Sequence, residues 1–511
     1  MLTDTSNSID NNQSKTQLFV LVLLVYLTWL IAANCGTGDD TYWHIKVGEW
    51  IVANHKVPTT GIFSYTASDF PWVSHEWLSA VLIYAVFYIA GWPGLVFLAT
   101  VSITIAMLLL LDFLLKRISV NISIIFLLFA FFLLTIHIMP RPHIIALPIM
   151  VFWTSQLINA SETQTSPPLS LALLMTLWVN MHGSFILGIA FILFFATESI
   201  FSAKTRPVKI NLLKGWLVFL LLSSIATLVT PHGINGLLLP LQLTNQSYIL
   251  DVISEWASPN FHQLQPIEFW LLAFIALSLY KGIKLPVFRI IFISGLIHLS
   301  LKYTRHASDL LSFLSPLILA EPFSKQLNSP SNFSVTQLYP KKLTHWLALG
   351  LYVTVLSFYI STRTVEFEKN IQIGKVLTSL QKERDTLGNV LNSYALGVNL
   401  IHYDYKVFID PRAELYGASF IEKYLTAIYL NKGSQQLQDM IEKYHISWTF
   451  FETEGAINTY LETRSDWKKI YSDRYITVYL ISAKNISDST KQELQKIKES
   501  LPKPDSKEEA D

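Results

Sequence analysis

The sequence predicts a polytopic α-helical membrane protein that carries a C-terminal soluble α/β domain. Hydrophobic residues make up 51% of the 511-residue chain and charged residues 15%, and the mean hydropathy is +0.39. These values are typical of membrane proteins rather than of globular ones. Apolar segments recur up to about residue 363 and predict roughly 11 to 13 transmembrane helices. After Thr364 the sequence becomes charged and alternating, which indicates a separate soluble domain.

The apolar segments lie at 16–33, 77–91, 94–115, 119–138, 143–159, 168–180, 184–203, 212–229, 266–280, 285–300, 306–320 and 344–362. We assign 1–363 to the transmembrane domain, with its first outer loop at 38–77. Residues 364–487 form the predicted soluble domain, and 488–511 a charged tail, expected to begin as a helix and fray into disorder. Segment 77–91 is short for a span, so we expect it to be re-entrant or to lie in the membrane interface.

Basic residues predict the orientation of the chain. Lys and Arg cluster in three short connections, at 204–214, 281–289 and 325–342, whereas the loop from Thr230 to Glu268 has none. Because cytoplasmic loops carry the excess of Lys and Arg, the basic connections are predicted to be cytoplasmic. The loop 230–268 and the soluble domain then lie outside the cell.

Several classes of protein are excluded at this stage. The formal net charge is +1, so no bulk electrostatic case exists for binding nucleic acid. The single cysteine, Cys35, excludes an intrachain disulfide framework and a Cys-rich metal site. The sequence contains no P-loop, no dinucleotide-binding glycine pattern, no H-E-x-x-H and no G-x-S-x-G motif.

The loop between the first two apolar segments is polar, acidic and rich in tryptophan. From Asp40 to Ile51 its apolar residues fall at helical spacing, and Asp40 and His44 share another face. We therefore predict a helix in the membrane interface, with its aromatic residues in lipid and the Asp40–His44 face towards an aqueous cleft. The alternative is that Asp39 and Asp40 only cap this helix. His75 and Glu76 follow at the end of the loop.

Further polar residues cluster at the ends of the apolar segments. The predicted orientation places all these clusters on the same outer side as Asp40, and polar groups within a membrane are costly and mostly functional. They are Arg141 and His143 in PRPH, Asn180 and His182 in NMHG, His232 in TPHG, Glu255 in the following loop, and Arg305 and His306 in KYTRHAS.

The soluble domain is predicted to be mixed α/β. Strands are expected at Lys406–Ile409, Trp448–Glu452 and Tyr475–Ile481, and helices at Ser419–Leu430, Gln435–Tyr444 and Ala456–Ile470. Asp410 and Arg412 follow the first strand, either as a structural ion pair or as part of a site.

Together these stretches resemble a known family. GDDTYWHIKVGEWI, VPTTGIFSYT and PWVSHEWL resemble the first outer loop of GT-C-fold membrane glycosyltransferases, and PRPH, NMHG, TPHG, KYTRHAS and VFIDPRAELYG fit the same group. This superfamily includes protein O-mannosyltransferases, the lipid A aminoarabinose transferase and oligosaccharyltransferases. The resemblance is strongest to bacterial multispanning proteins of this type and extends to about residue 480.

The resemblance implies a glycosyltransferase in the bacterial inner membrane that takes sugar from a polyprenyl-phosphate donor on the outer face. Its acceptor would be a lipid, a glycan or a protein. Asp40 matches the acidic residue expected after the first span, with Asp39 and Glu76 as further catalytic candidates. A divalent cation, Mg or Mn, would be held by Asp39 and Asp40, although no second Asp-x-Asp motif is present.

Binding of the donor phosphate and substrate is assigned to the remaining polar residues: His44, His75, Arg141, His143, Asn180, His182, His232, Glu255, Arg305 and His306. The alternative function is a non-enzymatic transporter or a glycan-assembly scaffold. A transporter places polar groups near the membrane midplane, often within internal repeats. Here they lie at segment ends and no repeat is visible, which favours the enzyme.

Overall fold

The computed structural model describes residues 3–36, 39–135, 138–244, 256–327, 343–363 and 366–501. Within these ranges it describes the side chains from residue 18 onwards, except those of residues 39, 243, 244, 327, 343 and 345. It is mostly helical, with several apolar helices and one small sheet. The helices up to residue 362 are α1 (Thr3–Asn34), α2 (Asp39–Asn54), α3 (Trp77–Leu115), α4 (Val120–Leu134), α5 (Pro142–Glu162), α6 (Ala172–Met181), α7 (Phe185–Ser202), α8 (Arg206–Ala226), α9 (Ile234–Thr244), α10 (Pro266–Lys281), α11 (Val287–Lys302), α12 (Ser312–Leu327) and α13 (Leu343–Thr362).

The elements after residue 362 alternate between helices and strands. They are α14 (Glu368–Leu380), α15 (Arg384–Leu387), β1 (Asn389–Asn392), α16 (Gly397–His402), α17 (Ala413–Tyr416), α18 (Ala418–Ile428), α19 (Gln435–Lys443), β2 (Ile446–Glu452), α20 (Ala456–Glu462), β3 (Trp467–Ser472), β4 (Ile476–Ile481) and α21 (Asp488–Glu499).

The chain divides into two compact units. The first, called the helical unit here, comprises Met1–Gly36 and His75–Val365. The second, called the mixed unit, comprises Thr37–Ser74 and Glu366–Asp511. Most of the loop 38–77, which the sequence analysis placed with the transmembrane domain, therefore folds with the C-terminal residues.

The helical unit is built from apolar helices. Among the described residues, four helices are long and apolar enough to cross a membrane, namely α3, α5, α7 and α8, and four shorter apolar stretches lie at Leu18–Asn34, Val120–Leu134, Leu169–Met181 and Trp346–Thr362. Large apolar side chains on α8, such as Leu217 and Leu221, are 53% and 60% exposed. An outward apolar surface of this kind is expected of helices that lie in lipid.

Polar contacts define the two ends of the helical unit. At one end, the start of α3 contacts the end of α6: Trp77 Nε1 donates to Asn180 Oδ1 at 2.6 Å, and Ser79 Oγ donates to the Met181 carbonyl at 2.8 Å. At the other end, Arg117 after α3 pairs with Glu162 at the end of α5, at 2.8 Å. Helix α3 therefore takes the chain from one end of the unit to the other.

Helix α3 also includes the segment 77–91, for which we predicted a re-entrant or interfacial path. Segments 77–91 and 94–115 are two helical stretches that meet at a kink at Gly91, whose φ is 58° and ψ is −153°. This conformation is accessible to glycine, and Pro93 follows within the same bend. The basic residues Lys116 and Arg117 consequently lie at the opposite end of the helical unit from Glu76.

The mixed unit is built on a four-stranded sheet in the order β1-β2-β4-β3. Strands β1 and β2 are parallel, and the β2–β4 and β3–β4 pairs are antiparallel. Its buried core joins residues of the sheet, such as Trp448 and Val478, with residues of α14 and α16. The predicted strands Trp448–Glu452 and Tyr475–Ile481 and the predicted helices 419–430 and 435–444 are confirmed in type and place.

Helix α2 forms at the predicted place, but its environment differs from the prediction. Tyr42, Ile45 and Val47 are buried, and Trp43 packs against the core of the mixed unit. Tyr42 Oη also donates to the Glu366 carboxylate at 2.7 Å. The interpretation as a lipid-facing helix was therefore wrong, because the apolar face of α2 is covered by the mixed unit itself.

Two further predictions for the mixed unit are corrected. Lys406–Ile409 lies outside the four-stranded sheet, and Val407 instead forms an isolated parallel bridge with Ser64, more than 300 positions earlier in the chain. Strand β3 occupies the end of the predicted helix 456–470, because its pairing with β4 overrides the helical pattern. The helix that was expected at the start of the tail forms as α21, and it buries Thr490 and Leu494. Residues 502–511 lie outside the described part.

Candidate active site

The carboxylate of Glu76 is the centre of a polar cluster in the helical unit. Glu76 directly precedes α3, and the N-terminus of a helix favours a negative charge. Its Oε1 atom lies 3.5 Å from His182 Nε2 and 3.6 Å from His75 Nε2. His182 reaches this position because α6 ends at Met181 and the backbone of His182 is extended, so the side chain leaves the helix direction.

A second carboxylate continues the cluster. The ring of His143, on the first turn of α5, lies 6.1 Å from the ring of His182. His143 Nε2 is 3.9 Å from Asp309 Oδ1, and Arg305 Nε is 3.6 Å from Asp309 Oδ2. Side chains from the starts of α3 and α5, from the α6–α7 connection and from the segment after α11 thus meet at one end of the helical unit.

Aromatic rings border the cluster on the side of Arg305. The Arg305 guanidinium lies over the Trp256 ring, 4.9 Å from its centroid. The ring of His306 meets the rings of Trp256 and Tyr303 edge to face, at 5.8 and 5.5 Å. An arginine that is held between a carboxylate and an aromatic face keeps a fixed direction.

The other candidates of the helical unit lie near this end. Asn180 is buried, accepts from Trp77 Nε1 and donates to the carbonyl of Val229 at 2.9 Å. This arrangement joins α3, α6 and the end of α8, which is a structural role. Arg141 precedes the first turn of α5, two residues before His143, and His232 lies in the turn closed by the Gly233 N–H and the Thr230 carbonyl. Glu255 lies outside the described residues.

Three candidates belong to the mixed unit. Asp39 and Asp40 are the first two residues of helix α2, and the side chain of Asp39 lies outside the described part. His44 is only 3% exposed and stacks on Trp43 at 3.8 Å between ring centroids. Burial leaves His44 little access to a substrate.

The Asp410–Arg412 pair is structural. Arg412 Nε and Nη2 donate to the two oxygens of Asp410 at 2.7 Å each, and both side chains are 1% exposed. Tyr416 Oη donates to Asp410 Oδ2 at 2.7 Å, and the Arg412 guanidinium lies 4.6 Å from the centroid of the Trp72 ring. Burial raises the pKa of Tyr416, so this hydroxyl remains a donor.

The sequence analysis missed three residues of the cluster. Asp309 was overlooked although it lies one helical turn beyond Arg305, a spacing that brings both side chains to one face. Ser184 and Trp178 were overlooked because their importance depends on contacts with His182, which sequence spacing does not reveal.

A divalent cation requires several carboxylate or imidazole ligands around one point. Within the described part of the chain, no group of three or more His, Cys, Asp or Glu side chains is arranged to hold a metal ion. The cluster around Glu76 therefore does not fit a metal site.

Comparisons with known proteins bear on the fold. No family model matches the chain, and no curated protein sequence matches it either. The structure is similar to that of an oligosaccharyltransferase from Archaeoglobus fulgidus in the apo form, with a TM-score of 0.52 and 11% identity over 86% of this chain and 70% of that one. The structure of AglB, the archaeal oligosaccharyltransferase from the same organism, in complex with an inhibitory peptide and a dolichol-phosphate, gives a TM-score of 0.52 and 12% identity over the same shares.

A third similar structure is that of ArnT from Cupriavidus metallidurans bound to undecaprenyl phosphate. Its TM-score is 0.46 and its identity 10%, over 92% of this chain and 98% of that one. At these identities, the similarity to the two archaeal structures shows the fold alone. The chain therefore shares the fold of the GT-C membrane glycosyltransferases.

Proposed function

We propose that the chain is an integral membrane glycosyltransferase that moves a sugar from a polyprenyl-phosphate donor to a lipid, glycan or protein acceptor. The observation that carries this proposal is the cluster of Glu76, His182, His143, Asp309 and Arg305 at one end of an apolar helical unit. The GT-C fold supports it, and one of the similar enzymes was solved with a dolichol-phosphate.

The reaction requires one proton acceptor and one stabilised leaving group. The acceptor hydroxyl oxygen forms a bond to the anomeric carbon of the sugar, and the bond from that carbon to the phosphate oxygen breaks. The bonding electron pair leaves with the phosphate, and the hydroxyl proton passes to a carboxylate. In the helical unit, Glu76 is the carboxylate that the geometry favours, while Asp40 remains the proposed base by resemblance.

The departing phosphate needs positive or hydrogen-bonding groups. We assign this role to Arg305, whose direction is fixed by Asp309 and Trp256, with Arg141, His143 and His306 as supporting groups. Groups that are already oriented stabilise developing charge without the cost of reorganisation. The aromatic border of the cluster would also keep water from the activated sugar.

Sidedness and metal dependence are part of the same proposal. The site is proposed to face the outside of the bacterial inner membrane, together with the C-terminal residues, and a tag at the C-terminus that is accessible only from outside would support this. Mg or Mn at Asp39 and Asp40 is proposed from the resemblance alone. Loss of turnover on chelation, with recovery on adding Mg²⁺, would support it.

The decisive experiment compares Glu76→Gln with Asp40→Asn in membranes that contain the full-length chain. Consumption of a polyprenyl-linked sugar is measured, and the variant that lacks the base should lose about 10²- to 10⁴-fold in rate. Asp112→Asn is the matched control, since Asp112 lies at the far end of α3 and pairs with the exposed Lys116. Unchanged turnover in both variants would contradict the assignment of the base. Absence of donor consumption by the wild-type chain would favour a transporter or scaffold.

A further inference from the structure

The side of His182 that faces away from Glu76 is occupied by hydrogen-bond donors. The backbone N–H of Ser184 points at His182 Nδ1 at 3.2 Å, and the Ser184 hydroxyl lies 2.8 Å from the same atom. A backbone N–H can only donate, so Nδ1 must accept. A neutral His182 then carries its proton on Nε2, the atom that lies 3.5 Å from Glu76.

Trp178 sets the direction of the second contact. Its indole Nε1–H donates to Ser184 Oγ at 3.0 Å, and an indole nitrogen never accepts. Because Oγ accepts from Trp178, its own proton is directed to His182 Nδ1. The hydrogen bonds therefore run in one direction, from Trp178 through Ser184 to His182.

The position of Trp178 is fixed by packing. Its side chain is fully buried and meets the ring of Trp153 at 6.1 Å. A Cβ atom at Gly188 would lie 2.6 Å from Trp178 Cζ3, so only glycine leaves room for this ring. A residue with so little freedom can hold the Ser184 hydroxyl in one orientation.

We propose that Ser184 and Trp178 are positioning residues that keep His182 neutral, with its Nε2–H directed at Glu76. The role of His182 in catalysis rests on the proposed function, whereas its protonation state does not. A neutral donor would orient the Glu76 carboxylate and leave it more basic than a full imidazolium partner would. Glu76 could then take the proton from the acceptor hydroxyl.

Opposing influences act on His182. The charge of Glu76 favours the imidazolium, and the rings of His75 and His143 also lie close by, with Asp309 and Arg305 beyond His143. A proton on Nδ1 would have to face the Ser184 N–H and turn its hydroxyl away. The two donors at 2.8 and 3.2 Å are closer to the ring than Glu76 at 3.5 Å, and we infer that they prevail.

The protonation state can be measured without any activity assay. The full-length chain in detergent is labelled with ¹⁵N-histidine, and the difference from His182→Asn identifies the His182 signals among the 13 histidines. We expect an unprotonated Nδ1 and a protonated Nε2 at neutral pH. In Ser184→Ala the midpoint of His182 titration should rise by about 0.5 to 1 pH unit, the equivalent of one lost hydrogen bond.

Two controls sharpen this measurement. Ser184→Thr retains the hydroxyl and should restore the wild-type midpoint. Ser102→Ala removes a buried serine hydroxyl that donates to the Leu98 carbonyl, and it should leave His182 unchanged. A proton on Nδ1 in the wild-type chain, or an unchanged midpoint in Ser184→Ala, would overturn the proposal.

The catalytic role is tested separately by His182→Gln and His182→Asn. The amide N–H of Gln can replace the Nε2–H donor, whereas the shorter Asn cannot reach Glu76. We expect turnover within about 10-fold of wild type for Gln and a loss of about 100-fold or more for Asn. Equal losses would overturn the donor role. A wild-type chain with the expected tautomer but without transfer activity would refute the proposed function and leave the assignment of the tautomer intact.

Discussion

Replacing Asp410 by Asn should destabilise the mixed unit far more than the loss of one surface charge would. The substitution keeps the size of the side chain but removes the carboxylate that pairs directly with the buried guanidinium of Arg412. Two charge-assisted hydrogen bonds, each 2.7 Å long, join Arg412 to Asp410. Bonds of this kind contribute about 1.5 to 3 kcal/mol each, and breaking a buried pair costs about 3 to 5 kcal/mol.

The chain offers a closely matched control. Arg464 and Asp466 form the same two-bond geometry, at 2.8 Å for each bond, but their side chains are 37% and 48% exposed. Solvent screens such a pair, so Asp466→Asn should cost less than about 1 kcal/mol. The comparison therefore isolates the effect of burial on one type of ion pair.

Hydrogen exchange of the full-length chain in detergent measures the difference. Amides of β2 and β4 lie in the centre of the sheet and report on opening of the mixed unit. Their protection should fall about 100-fold or more in Asp410→Asn and less than about 10-fold in Asp466→Asn, since about 1.4 kcal/mol corresponds to a factor of ten. Equal effects of the two substitutions would refute the view that the buried pair stabilises this unit.

Two further predictions concern packing and pH. Gly188→Ala should cost about 1 to 3 kcal/mol of stability and lower the melting temperature of the chain, because the new Cβ would meet Trp178. Gly295→Ala, with nothing within 4 Å of its Cβ, should stabilise helix α11 or leave it unchanged. The same result at both positions would contradict the packing argument. Burial, with the nearby Lys46 ammonium, lowers the pKa of His402 to about 4 from 6.5. As the pH falls, the unfolded chain therefore binds a proton at His402 before the folded chain does. The contribution of His402 to the free energy of unfolding is complete above pH 6.5, and up to about 3 kcal/mol of it is lost as the pH drops towards 4. His402→Gln should flatten that part of a curve of unfolding free energy against pH, and an unaltered slope would count against the assignment.

Local patterns predicted those parts of the fold in which one segment decides its own structure. The runs at 448–452 and 475–481 are rich in aromatic and β-branched residues and became β2 and β4. The first residues of β3, 467–470, were assigned to the end of a predicted helix. Only pairing with β4 distinguishes the two interpretations.

The candidate site shows the same division. The polar motifs at the segment ends marked Arg305, His143 and His182, because charged and polar side chains stand out in an apolar sequence. The contact between His143 and Asp309 could not be predicted, since it joins segments that are far apart in the chain. Ser184 lies only two residues from His182, but its contact with the ring depends on how the chain turns after α6.

By itself, the sequence determined that the chain is built from apolar helices followed by a mixed α/β region, because composition and hydrophobic period are local properties. It also marked the acidic loop as unusual. Only the tertiary structure decided where that loop belongs: Tyr42 is buried and Trp43 packs against the core of the mixed unit, so the apolar face of α2 meets protein and not lipid. An apolar helical face has the same sequence pattern whether lipid or protein covers it. Here the covering surface is supplied by residues more than 300 positions away in the chain. One of them is Glu366, which accepts a hydrogen bond from Tyr42 across 324 positions.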